Sequence, residues 1–301
     1  MKLRTAIHTA LGAALIAPLT LAGNTPAAPA YAAASVCQGQ PATIEGSTGV
    51  ITGTEGNDVI VATGPETEVR ALGGNDLICV VGGKVETGLG DDSVDATRAA
   101  VLTMAHLSAG NDTFTGGPGG SDVTVEELSS FRVTFGGSGF AFMRINPTET
   151  PGTGTVDFGG AGNRLYAFGL ERASVDLAAQ TVSVDGLLTV TTVGLANATA
   201  TGCRVRMKGD AAQNSLEAYG HDVVISGGGE ADRIGRVGNG FDLDLPECGR
   251  YKSLFRGQGG NDHLFGRLGD DVLIGGAGRD HANGAGGSDT CRAEVRRNCE
   301  R

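Results

Sequence analysis

Tryptophan is absent, and aromatic residues make up only 5% of the 301 positions, so an ordinary globular core built from large side chains has too little material. Basic residues are also in short supply, with 23 Lys and Arg against 34 Asp and Glu and a net charge of −11. That balance argues against a nucleic-acid partner, whose phosphates call for clustered Lys and Arg, and favours cations. Beyond the first thirty or so residues no apolar run is long enough to cross a bilayer. The chain has no HExxH, no GxSxG and no CxxC. The metalloprotease helix, the hydrolase nucleophile elbow, and zinc or dithiol redox chemistry on paired cysteines therefore have no local signature.

Glycine is plentiful, at 51 residues. The chain opens with Lys2 and Arg4, an apolar run from Ala10 to Ala22, and the small-residue site Ala30-Tyr31-Ala32, the layout of a cleaved export signal. Lys2 and Arg4 are the only charged residues before position 33, so cleavage would leave a still more acidic chain, soluble or peripherally bound outside the cell. Six cysteines follow: Cys37, Cys79, Cys203, Cys248, Cys291 and Cys299. An even number in an exported chain implies disulfides, and of the 15 connectivities open to six cysteines we expect sequential pairing.

From Gly257 onward the sequence aligns to itself every nine residues. The fourth position is Gly260, Gly269, Gly278 and Gly287; the sixth is Asp262, Asp271, Asp280 and Asp289; the eighth is Leu264, Leu273, Ala282 and Cys291. A flexible Gly-rich linker would keep neither a fixed Asp register nor an apolar eighth position. Glycine permits tight turning through positive φ, and the last three residues of each unit suit a short strand whose eighth side chain faces inward.

This pattern resembles the haemolysin-type, or RTX, calcium-binding repeat GGxGxDxUx, in which U is a large apolar residue. The resemblance implies an all-β parallel β-roll or β-helix solenoid with two units per turn and Ca2+ held between loops eighteen residues apart, by Asp carboxylates and backbone carbonyls. Asp262 with Asp280, and Asp271 with Asp289, have that separation, and Gly257, Gly259, Gly266 and Gly275 would supply loop carbonyls, with Ala277 at the third position of one unit. The N-terminal half carries the same signature less regularly, at Gly56-Asn57-Asp58, Gly74-Asn75-Asp76, Asp92 and Asp112. Two further units end at Asp222 and Asp232. The unit from Ala62 to Arg70 lacks the aspartate, so the opposite side there is expected to be empty. Arg164 stands at a sixth position and is a candidate to replace the ion's charge.

These readings divide the chain into a signal (1–32), an N-terminal RTX-like solenoid (33–128), an irregular β-rich middle (129–210) and a C-terminal β-roll with a disulfide cap (211–301). The expected function is a secreted calcium-binding β-roll that folds on binding Ca2+, a non-catalytic extracellular or envelope scaffold or adhesion protein. A cell-surface or extracellular polysaccharide is a candidate partner. The alternative is a secreted β-helix hydrolase or polysaccharide lyase using Arg164, Asp176, Arg204, Arg206 and Lys208 in the irregular stretch. His263 and His281, eighteen apart at outward positions, should share one face.

Overall fold

The computed structural model describes residues 35–126, 130–137, 139–146, 151–160, 163–235 and 248–301; the expected export signal lies outside them. Within these residues strands pair in parallel with the strand two places further on, the signature of a solenoid with two strands per turn. We call the two stacks the front and back rows. The front row begins with Ile44–Gly46, Val59–Ala62, Leu77–Val80, Ser93–Asp95 and Asn111–Thr115. The back row begins with Val50–Thr52, Glu68–Arg70, Gly83–Glu86, Thr103–Leu107 and Ser121–Val125. No helix among the described residues is long and apolar enough to cross a membrane.

Alternation along each short strand sends one or two apolar side chains inward per turn, among them Ile60, Val69, Ile78, Val85, Val94 and Phe114, all buried. Each fully buried aliphatic contributes roughly 1.5–3 kcal/mol. Three of the few aromatics stack inside the roll: Phe114, Phe135 and Phe158 follow one another with centroids 6.4 and 5.3 Å apart.

Two departures from strict repetition shape the middle. An antiparallel meander, Arg172–Asp176, Thr181–Val184 and Leu188–Val193, is inserted into the front row, whose parallel stacking resumes at residues 204–208. The long strands Asn197–Lys208 and Ser215–Gly228 then run round the corner from back row to front without a loop. Gly202 and Gly220 sit side by side at that corner, and a β-carbon on Gly220 would meet the Gly202 carbonyl oxygen at 2.3 Å.

The expected disulfides form: Cys37–Cys79, Cys203–Cys248 and Cys291–Cys299. The first ties the small hairpin Val36–Cys37/Gln40–Pro41 to the front row. The third binds segment 292–301 to the final front strand, Thr290–Arg292.

Candidate metal centre

The nine-residue spacing delivers its aspartates to the bends entering the strands, where eighteen residues make one full turn and each carboxylate lands beside its counterpart. In the N-terminal front column the backbone N–H of Asp58 donates to Asp76 Oδ1 at 2.8 Å, that of Asp76 to Asp92 Oδ1 at 2.8 Å, and that of Asp92 to Asp112 Oδ1 at 2.9 Å. The C-terminal back column repeats this: Asn214 N–H donates to Asp232 Oδ1, Asp232 N–H to Asp262 Oδ1 and Asp262 N–H to Asp280 Oδ1, at 2.8, 2.8 and 2.9 Å. On the front side Asp271 N–H donates to Asp289 Oδ1 at 2.9 Å. One carboxylate oxygen per residue is thus spent on the neighbouring turn.

The other oxygen is left over. Asp76, Asp92, Asp232, Asp262, Asp280 and Asp289 each have a buried Oδ2 with no hydrogen-bond partner, and Asp271 has such an Oδ1. A buried unpaired carboxylate oxygen is costly, and repeating it seven times points to a missing positive ligand. Burial pushes Asp92 and Asp232 up to about 7 and Asp112 and Asp262 up to about 6, with carboxylates on neighbouring turns adding to the rise in Asp92, Asp232 and Asp262. Asp76, Asp271 and Asp289 are also raised, again chiefly by burial.

Glycine at the first position of a unit opens a cradle beside the unit's carboxylate. A β-carbon on Gly257 would stand 2.0 Å from Asp262 Oδ2 and 2.6 Å from the Gly275 carbonyl oxygen; on Gly266, 2.6 Å from Asp271 Oδ2 and 2.4 Å from the Gly284 carbonyl oxygen. Carboxylate and next-turn carbonyl therefore converge where a side chain would otherwise sit, a set of hard oxygen donors suited to calcium. Gly275 stands against Asp280 Oδ2 in the same way. Gly259 lies outside these cradles, its nearest neighbour being the Gly228 carbonyl at 3.7 Å. Among the described residues no three His, Cys, Asp or Glu side chains converge, so a cation here must draw on backbone carbonyls as well. The fourth-position glycines Gly260, Gly269, Gly278 and Gly287 have φ of 109°, 106°, 139° and 137°; a β-carbon on Gly278 would also fall 1.8 Å from the Gly260 carbonyl oxygen.

The structure separates Asp222 from these columns. Its neighbour Val223 is the buried residue, which turns Asp222 outward to Arg206 at 3.0 Å and Lys252 at 3.7 Å. Burial works to raise its carboxyl, but the hydrogen bond and charge of Arg206, with Lys252, hold it below the usual carboxylate range. In the repeat the buried apolar residue comes two places after the aspartate; here it comes one place after, a one-residue slip that flips the face. Arg164 also faces outward and does not replace the ion. It reaches Thr199, Ser215 and Glu217, while its neighbour Asn163 takes the buried place. On the opposite side of the N-terminal turns the expected gap is filled by Thr67, which donates to the Gly64 carbonyl.

Two sets of residues escaped the sequence reading. The fifth position makes an outer ladder running the other way: Asn75 N–H donates to Asn57 Oδ1, Asp91 N–H to Asn75 Oδ1, Asn111 N–H to Asp91 Oδ1 and Arg279 N–H to Asn261 Oδ1. The recurring Gly-Asn-Asp triplet carried that signal. Glu294 and Glu300 continue the inner columns, accepting from Asp280 N–H and Asp289 N–H. They lie outside the nine-residue register, so spacing could not find them.

The RTX calcium-binding nonapeptide repeat matches in four copies, over residues 44–64, 106–121 and 256–291. The chain carries RTX calcium-binding repeats. Its parallel strands form a β-roll built on these repeats, which makes it a calcium-binding β-roll protein. No curated protein matches the RTX chain. Of the lyase candidates, Asp176, Arg204, Arg206 and Lys208 share the outward face of adjacent front strands, where Arg206 pairs with Asp222 and Lys208 with Asp176, while Arg164 is on the back row. His263 and His281 do share one face, with rings stacked 4.9 Å apart.

Proposed function

We propose that this protein is a secreted, non-catalytic scaffold whose turns are fastened to one another by calcium, with Asp232, Asp262, Asp271, Asp280 and Asp289 as the principal carboxylate ligands and Gly257, Gly266 and Gly275 as the residues that make room for the ion. The observation carrying this reading is the set of buried, unpartnered Oδ2 atoms of Asp232, Asp262, Asp280 and Asp289, each facing a glycine cradle. Calcium would supply the missing charge, and its binding free energy would become folding free energy. Extracellular modules bind at roughly 10⁻⁴ to 10⁻³ M, which suffices outside a cell. Magnesium, which demands tighter octahedral geometry, should substitute poorly. The three disulfides support an oxidising location.

For the partner we favour an extracellular polysaccharide. On the outer back face Phe140, Phe142, Tyr166 and Phe168 form a continuous file, with successive centroids 5.6, 4.5 and 6.1 Å apart and Arg144 over Phe142. Phe140 is 55% exposed, an apolar surface of the kind on which sugar rings stack. A calcium titration followed by circular dichroism and calorimetry tests the first reading; unchanged spectrum and thermal midpoint after EDTA, with no metal uptake, would overturn it. Binding on a glycan array that survives Phe142→Ala combined with Tyr166→Ala would overturn the second.

A further inference from the structure

The inner columns do not stop where the repeat stops. Repeat matching ends at residue 291, yet Asp280 N–H finds Glu294 Oε2 at 2.8 Å and Asp289 N–H finds Glu300 Oε2, the same backbone-to-carboxylate link that joins the repeats to each other. The backbone follows suit. Val295–Arg297 pairs in parallel with His281–Asn283, and the Glu300 and Arg301 N–H groups both donate to the Asp289 carbonyl. Asn298 then occupies the place that Gly284 holds one turn earlier.

Two further observations point to a ligand. Asp280 and Asp289 are 0% and 1% exposed, and each keeps an Oδ2 with no hydrogen-bond partner. At Gly284 a β-carbon would lie 2.3 Å from Asp289 Oδ2 and 2.2 Å from the Asn298 carbonyl oxygen, the cradle already seen at Gly257 and Gly266 with Asn298 in the part of the next-turn glycine.

We propose that segment 292–301 supplies the outermost layer of calcium ligands, Glu294 opposite Asp280 and Glu300 with the Asn298 carbonyl opposite Asp289, and that the Cys291–Cys299 disulfide keeps this layer in place. These two sites depend on the disulfide, because without it the segment is joined to the roll only through residue 292, hydrogen bonds and the packing of small side chains such as Ala293. Calcium affinity at this end of the roll is therefore redox-dependent, while the inner sites are not. The proposal rests on the calcium reading above.

The test is calcium stoichiometry by calorimetry on the full chain and on Glu294→Gln, Glu300→Gln and the double variant. Glutamine still accepts the N–H of Asp280 or Asp289, so the fold persists while the charged ligand is lost. One ion fewer per glutamate changed is expected, with the remaining affinities intact. Cys299→Ser, which leaves both glutamates in the chain, is expected to weaken the same two sites about 10-fold or more. Full stoichiometry and affinity in the double variant would overturn the proposal. A parent chain that binds no calcium would overturn the reading beneath it as well.

Discussion

The N-terminal and C-terminal carboxylate columns share register and link geometry but differ five residues before each aspartate. In the C-terminal columns that position is Gly257, Gly266, Gly275 or Gly284, and beside Gly257, Gly275 and Gly284 the freed space faces a carboxylate oxygen without a partner. In the N-terminal column it is Gly53, then Ala71, Thr87 and Leu107, the last three fully buried. There hydroxyls do part of the work. Thr54 bonds Asp58 Oδ2 at 2.9 Å and Thr87 bonds Asp112 Oδ2 at 3.2 Å, so neither aspartate keeps a free oxygen. Asp76 and Asp92, whose units begin with Ala71 and Thr87, still keep an unpartnered Oδ2, so side chains complete the N-terminal ladder only at Asp58 and Asp112.

Removing calcium breaks the comparison most sharply. With EDTA, hydrogen exchange should accelerate strongly over residues 252–291 and much less over 59–115; equal loss in both columns would abolish the distinction. Next is Gly257→Ala, which places a methyl in the cradle at a cost of about 1–3 kcal/mol for overpacking and should lower calorimetric stoichiometry by one ion. Thr87→Gly is its mirror image and should open the N-terminal column to an additional ion.

Acidification separates the protonated from the ion-bound ladder. In the ion-free fold Asp92 and Asp232 titrate at about 7 and Asp112 and Asp262 at about 6, raised by burial above the ordinary carboxylate value. Folded values above unfolded ones mean that protonation stabilises the fold, fully so below the unfolded pKa of about 4, with that contribution lost as pH rises through 6 and 7. The melting temperature of EDTA-treated protein should climb from pH 8 to pH 5, while the increment produced by calcium shrinks as protons compete. An ion-free midpoint that is flat over this window would contradict the burial of these groups. Smallest is Asp222→Asn, which removes a surface ion pair worth about 0–1 kcal/mol and should leave calcium stoichiometry unchanged.

Much of this was legible in the sequence where chemistry and period coincide. Asp262, Asp271, Asp280 and Asp289 sit where a period of nine puts them, because eighteen residues return the chain to the same bend. Asp58 and Asp76 follow the same rule, and Asp92 and Asp112 reach the column across offsets of 16 and 20 residues. Asp222 misled because a match to Gly-x-Asp ignores which following residue is inward, and Val223 with Val224 leaves both phases open to a reader of the sequence. The middle hid its continuity for another reason. Stacking persists there after the ladder chemistry has gone: Asp112 is followed in the same column by Phe131, Gly154 and Val190. A repeat recognised by its ligands becomes invisible once apolar packing takes over the same positions.

Direction is built into the inner ladder. In every link the donor N–H belongs to the earlier turn and the accepting carboxylate to the later one, through to Glu294 and Glu300. A chain delivered N-terminus first cannot close any link until the following turn has emerged, so each turn is fastened only by the one that comes after it. Cutting away residues 292–301 would leave the inner aspartates intact and still loosen them, because the turn that fastens them would never arrive.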